Sequence, residues 1–94
     1  MECILGGKRY RVEYRVKSRM PAFLGHCTES LGENDPGLIR IRKGLDEKTE
    51  LDTLIHEALH ASDWSKSEEW IEETAKEVAN LLWGMGWRKG EAVG

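Results

Sequence analysis

The spacing of the hydrophobic residues changes near Gly44, and this change limits the folds that are open to the chain. Residues 8–17 alternate charged side chains with tyrosine and valine, which is the two-residue period of a half-buried β-strand. Shorter apolar segments at 22–28 and 38–42 predict two more strands, which the turn-rich residues 32–37 join as a hairpin. After Gly44 the apolar residues recur at helical spacing. The order of three strands and two helices predicts a small α+β domain, with the helices on one face of an antiparallel sheet.

The second half of the chain predicts two helices separated by a short polar link. Asp46 is a good N-cap for a first helix that ends near Ser62. Either Ser65 or Ser67 can cap a second helix, which begins near Ser67 and ends at about Trp83.

The 94 residues of the chain are enough for one domain over residues 1–94. Its core is expected between about residues 8 and 87, with a frayed tail at 88–94. The sequence contains no apolar run of roughly 18 residues, which a membrane span needs, and no secretory signal at its N-terminus. We therefore expect a cytoplasmic protein without a membrane partner.

Basic and acidic side chains are unevenly distributed along the sequence. Residues 1–44 hold nine basic and five acidic side chains, whereas residues 45–94 hold five and twelve. We expect the basic groups to form the solvent face of the strands, beside acidic helices. Since the net charge is −3, we do not expect a nucleic-acid partner.

The two cysteines, Cys3 and Cys27, lack the spacing of a metal-binding motif. Both are expected to be small buried apolar residues in reduced form. Pairing of Cys27 with His26 as metal ligands remains open.

The residues His56, Glu57 and His60 form an HExxH motif on the first predicted helix. The two histidines lie one helical turn apart and can bind one metal ion, for which Zn²⁺ is the expected cofactor. Glu57 can accept a proton from water at the metal and pass it to a leaving amine, which is the role of a catalytic base. The apolar stripe of this helix is centred near Leu51 and Ala58, so we expect the histidines to face the second helix.

A catalytic zinc site needs a third protein ligand, and the second helix offers two candidate glutamates. Folding the two helices about residues 64–65 places residues 70–72 level with the metal, which favours Glu72 as the third metal ligand. Glu68 is the second candidate, but the sequence Ser65–Glu68 also predicts a capping box that would give Glu68 a local role.

The segments Leu51–Ala61, Ser67–Glu69 and Leu81–Trp87 together resemble the minimal zincin-type metallopeptidase-like proteins of phages and prophages. These are similar in outline to the SprT-like and ImmA-like peptidase domains, and the resemblance covers about residues 22–88. It implies a sheet whose last strand borders the active-site helix. It also implies zinc held by the two histidines and a downstream acidic residue, with Glu57 as general base.

Two functions follow from these features. The first is a zinc-dependent metallopeptidase-like hydrolase, whose peptide or protein substrate adds along the strand at residues 38–42. The alternative is a non-catalytic, zinc-stabilised binding or structural module, associated with nucleic acid or protein. Glu57 favours the hydrolase, because a structural site has no use for an unliganded carboxylate beside the metal.

Overall fold

The computed structural model describes residues 1–90, which form a four-stranded sheet and two α-helices. The strands are β1 (Glu2–Leu5), β2 (Lys8–Arg15), β3 (Gly25–Thr28) and β4 (Gly37–Arg42). The helices are α1 (Glu47–Ser62) and α2 (Glu68–Gly84), and a short 3-10 helix spans Lys17–Arg19. The α+β class predicted from the sequence is confirmed.

The sheet is mixed and has the order β1-β2-β4-β3, so the prediction of about three antiparallel strands is wrong in two respects. First, β1 pairs with β2 across a tight turn at Gly6 and Gly7, and the sheet therefore begins before residue 8. Second, β4 lies between β2 and β3, parallel to β2 and antiparallel to β3. Parallel neighbours need a long connection, which residues 16–36, including β3, provide. Periodicity identifies which residues form strands, but it carries no information about their order.

The two faces of the sheet have different character, because successive side chains of a strand point to opposite sides. The face toward α1 carries the core, whose fully or nearly fully buried members are Tyr10, Ile39, Ile41 and Ala61. The opposite face is rich in arginine. There, Arg15 Nη2 lies 2.9 Å from Glu13 Oε2, and Arg40 Nε lies 3.4 Å from the same oxygen. The basic side chains thus occupy the outer face of the strands, as the sequence indicates.

Both helices begin at the N-caps that the sequence offers. The Asp46 carboxylate accepts a hydrogen bond from the Thr49 backbone N–H at 2.9 Å, and this bond lowers the pKa of Asp46. Of the two candidate caps of α2, Ser67 is used, and its hydroxyl accepts from the Trp70 N–H at 3.1 Å. Helix α1 packs on the sheet and α2 packs chiefly on α1. Neither helix in this part of the chain is long and apolar enough to cross a membrane.

The segment after α2 is held against the domain at its first residues. Lys89 Nζ lies 3.1 Å from a Glu50 carboxylate oxygen and 4.7 Å from the centre of the Tyr14 ring. The Arg88 guanidinium lies 3.3 Å from the centre of the Trp83 ring. Arg88 and Lys89 thus contact the domain, and the last part of the predicted tail, 91–94, lies outside the described residues.

Gly37 allows the ring of Tyr10 to lie flat in the core. The two residues are direct partners in the register of β2 and β4. A Cβ atom at position 37 would overlap the Tyr10 ring and would lie 2.6 Å from the Thr28 carbonyl oxygen. Because Tyr10 is fully buried, its ring has no free space into which it could move.

We predict that Gly37→Ala lowers the free energy of unfolding by about 1–3 kcal/mol, the usual cost of overpacking a core. Each kcal/mol lowers the melting temperature of a domain of this size by about 4–8 °C, which circular dichroism measures. Gly84→Ala is the matched control, because position 84 is helical and a Cβ there meets open space. Its melting temperature should be unchanged or higher. Equal melting temperatures for the two variants would contradict the role of Gly37.

Candidate metal centre

His56 and His60 lie one turn apart on α1, and both imidazoles point toward the first turn of α2. The Nε2 atom of His56 lies 2.8 Å from one carboxylate oxygen of Glu68, and Nε2 of His60 lies 2.8 Å from the other. The centres of the two imidazole rings are 5.0 Å apart. Two nitrogen donors from one helix and a carboxylate from the next thus converge on one point, and the expectation that the histidines face α2 is confirmed.

The structure brings Glu68, and not Glu72, to the two histidines. Glu72 is exposed and lies outside the group of residues that line the site. The helix geometry explains the difference. The buried residues of α2 are Ile71, Ala75 and Ala79. At 100° per residue, Glu68 lies about 20° from the centre of this row and Glu72 about 60°.

The capping box predicted over Ser65–Glu68 is not formed. Because Ser67 caps α2, Glu68 is the first helical residue and not the third, and the third is Trp70. The Glu68 side chain therefore has no capping role. Asp63 and Ser67, at the two ends of the link, have extended backbones, so the chain does not fold back symmetrically about residues 64–65. For these two reasons the structure places Glu68, and not Glu72, beside the histidines.

Glu57 lies on the side of α1 that faces the sheet, and only 6% of its surface is exposed. One of its carboxylate oxygens and the ligand nitrogens of His56 and His60 all lie within 4.8 Å of one another. Burial raises the pKa of Glu57 above its ordinary value, although the two histidines act in the opposite direction. Within residues 1–90 no group donates a hydrogen bond to this carboxylate. It is therefore a buried proton acceptor that no protein donor occupies.

Strand β3 forms the wall of the site opposite α1. A Cβ atom at Gly25 would lie 2.6 Å from Thr53 Cγ2 and 3.0 Å from Glu57 Cγ, so glycine permits this close approach of strand and helix. β3 is also an edge strand of the sheet, whereas β4 is covered on both sides. The expectation that residues 38–42 offer a free edge is therefore wrong, and the edge beside the site belongs to Gly25–Thr28.

Cys27 and His26 lie near the site but do not join the histidine pair. Burial, followed by the charge of Glu57, raises the pKa of the Cys27 thiol to about 12. In the metal-free protein, a thiol with this pKa stays protonated at neutral pH. His26 is exposed on β3, opposite Arg40 in the register. In the described residues, the cluster of possible ligands around His56 and His60 includes neither side chain.

The HExxH motif identifies His56, Glu57 and His60, but no sequence motif indicates that Trp64 lines the site. Trp64, in the link between the helices, packs its indole against the His60 imidazole. Nothing in the spacing of the sequence indicates this contact, since it depends on the path of the link.

Comparison of the chain with models of known protein families, with curated proteins and with solved structures gives no match.

We predict that Cys27 is neither reactive nor required for metal binding. In the folded protein at neutral pH, its alkylation by iodoacetamide should be at least about tenfold slower than in guanidinium, because the folded thiol stays protonated. Mass spectrometry of the modified peptide measures both rates. Cys27→Ala should bind zinc as wild type does. Loss of zinc from this variant would indicate a structural site with a thiolate ligand.

Proposed function

We propose that the chain is a zinc-dependent metallopeptidase-like hydrolase, in which His56, His60 and Glu68 hold Zn²⁺ and Glu57 is the general base. The proposal depends on one observation. Two imidazole nitrogens and one carboxylate meet at a single point, beside a second, buried carboxylate to which no group of residues 1–90 donates a hydrogen bond. Two histidines and one glutamate are the protein ligands of a known class of catalytic zinc sites, in which the fourth position is open.

The spacing of the three side chains fits a zinc ion after a small adjustment. Ligand atoms around a tetrahedral zinc, with bonds of about 2.0–2.1 Å, lie about 3.3 Å apart. The distances from Glu68 to the two Nε2 atoms are 2.8 Å, so an outward movement of about half an ångström is needed. The Glu68 side chain is 65% exposed and can make this movement without displacing the core. When bound, zinc polarises a carbonyl group and increases the acidity of a water molecule.

Glu57 is suited to move the proton in such a hydrolysis. Its raised pKa increases the proton affinity of the carboxylate, so it can accept a proton from the attacking water and return it to the leaving amine. Because no donor of the described residues occupies the carboxylate, its oxygens are available to substrate and water.

The edge of β3 is the surface along which we place the substrate. A peptide in extended conformation can add to an exposed edge strand through main-chain hydrogen bonds. Gly25–Thr28 is such an edge, and Gly25 contacts the helix next to Glu57. A peptide on this edge would pass beside His56, Glu57 and His60. The proposed substrate is therefore an extended segment of a peptide or protein.

The alternative, a zinc-stabilised module without activity, is favoured by a separate observation. Glu68 connects the start of α2 to both histidines of α1, so a metal ion at this point would staple the two helices. Metal binding then contributes directly to folding. Both functions share this property, and the role of Glu57 distinguishes them.

We predict about one zinc ion per chain, with Glu68 as the third ligand. Glu68→Ala should weaken zinc binding by at least about a hundredfold, beyond what the loss of an outer-shell partner costs. Glu72→Ala removes the same charge from the same helix and should leave the affinity within about twofold. Competition with a chromophoric chelator measures the zinc affinity of both variants. The double variant His56→Ala/His60→Ala gives the affinity of a protein without the site. An equal loss in the Glu72 variant would refute the assignment of Glu68.

We predict that Glu57→Gln keeps the zinc but lowers the rate of peptide hydrolysis by about a hundredfold or more, the usual contribution of a general base. Hydrolysis is measured on unfolded proteins and on a mixed peptide library, with both proteins loaded with zinc. Equal rates for the variant and the wild type would exclude Glu57 as the base. If the zinc-loaded wild type cleaves nothing, the alternative of a stabilised module is favoured.

The same substitution should change stability in a pH-dependent way in the metal-free protein. The pKa of Glu57 is higher in the folded chain than in the unfolded chain, so ionisation of this carboxyl costs stability as the pH rises above its unfolded value. Glu57→Gln should therefore raise the melting temperature at neutral pH, by several degrees if the cost is ~1 kcal/mol. The difference should vanish below about pH 4, where the carboxyl is protonated in both states. Thermal unfolding in the presence of a chelator measures it.

A further inference from the structure

We propose that Trp64 is a positioning residue of the metal centre: its indole, anchored by the buried Tyr10 hydroxyl, holds the His60 imidazole in the orientation that directs Nε2 toward Glu68. This inference rests on the proposed zinc site and adds to it the group that fixes one of the ligands.

The indole of Trp64 lies against one face of the His60 ring. The ring centres are 6.0 Å apart and the ring planes differ by 29°, so the rings are close to parallel. A stacked contact restricts the tilt of the imidazole but forms no bond with its nitrogens. Nε2 of His60 therefore remains available, and it points to the Glu68 carboxylate at 2.8 Å.

The indole itself is fixed by a hydrogen bond from the core. Trp64 Nε1 donates to the Tyr10 hydroxyl at 3.0 Å, and Tyr10 is fully buried. The same hydroxyl donates to the carbonyl oxygen of Ala61 at 3.4 Å. Since Ala61 follows His60 directly, Tyr10 ties both the indole and the last turn of α1 to the sheet. The position of the indole relative to His60 is thus set by the core and not by the link alone.

The usual means of orienting a metal-binding histidine is missing from this site. Such a histidine normally donates its second ring N–H to a carboxylate, a carbonyl or a water. In the structure of residues 1–90, the polar contacts of His56 and His60 are those with Glu68. No protein group in this range accepts a hydrogen bond from either Nδ1. The aromatic contacts of His60 among the described residues are those with His56 and with Trp64.

The link that carries Trp64 has a defined turn of its own. Asp63 Oδ1 accepts a hydrogen bond from the Ser65 backbone N–H at 2.9 Å. The Asp63 N–H in turn donates to the Leu59 carbonyl at 3.1 Å, which closes the end of α1. The turn places Trp64 beside His60, and the chain then continues to Glu68. One short segment therefore delivers both the positioning residue and the third ligand.

The test compares the zinc affinity of four full-length variants by chelator competition. Trp64→Ala should weaken binding by about 10- to 100-fold, the effect of losing an outer-shell partner. Trp64→Phe keeps a planar ring over His60 but loses the hydrogen bond to the Tyr10 hydroxyl, so its affinity should lie between those of wild type and Trp64→Ala. Trp64→Leu keeps apolar volume without a planar ring and should lose affinity as Trp64→Ala does.

Trp70→Ala is the matched control, because Trp70 is 42% exposed and Trp64 is 39% exposed, but only Trp64 contacts His60. Its affinity should equal that of wild type.

A second readout separates positioning from a general loss of structure. The absorption spectrum of the Co²⁺-loaded protein reports the coordination geometry. Trp64→Ala should change it more than Trp64→Phe does, while Trp70→Ala should leave it unchanged. Equal affinities for Trp64→Leu and Trp64→Phe would overturn the stacking role, as would wild-type affinity in Trp64→Ala. If the wild-type protein binds no zinc, the proposed function fails together with this inference. Zinc binding that is unchanged in every Trp64 variant refutes this inference alone.

Discussion

The hydroxyl group of Tyr10 is the contact on which the sheet, the first helix and the link depend together. A buried hydroxyl must find hydrogen-bond partners, and this one has the Ala61 carbonyl and the Trp64 indole. The first partner fixes the end of α1 on the sheet, and the second fixes the start of the link. The ring reaches this position because residue 37 has no side chain. Packing in the sheet therefore determines where the chain turns toward α2, and the turn determines which glutamate meets the histidines.

Features that depend on local sequence could be predicted, whereas those that depend on tertiary packing could not. The N-cap Asp46, the helical spacing of the histidines and the alternation in β2 are local, and each appears in the structure as expected. The place of β4 between β2 and β3 depends on the connection at residues 16–24, for which periodicity has no signal. The choice between Glu68 and Glu72 depended on which serine caps α2. The two serines are equally good caps by residue type, so the sequence alone does not show which glutamate lies beside the histidines.

The orientation of α1 about its axis also differs from the expectation, and the difference has a physical cause. The apolar stripe is centred near Leu51 and Ala58, but the residues buried on α1 are Glu57 and Ala61, with Leu54 packed on the core. This corresponds to a rotation of about 75–80° at 100° per residue. The small residues Gly25 and Ala61 permit the rotation, since larger ones would hold the helix further from the sheet. Because the helix is turned in this way, a carboxylate lies in the contact between helix and sheet.

A carboxylate in that contact opposes stability, because burial disfavours its charged form and no described group donates a hydrogen bond to it. Packing alone would favour an apolar residue at position 57. The rotation that buries Glu57 is also the one that turns His56 and His60 toward Glu68, since adjacent positions of a helix differ by about 100°. Glu57 and the two histidines therefore cannot be placed independently of each other. The position of Glu57 is unfavourable for folding but suits proton transfer beside the proposed metal. The distinction between enzyme and module therefore depends on this residue.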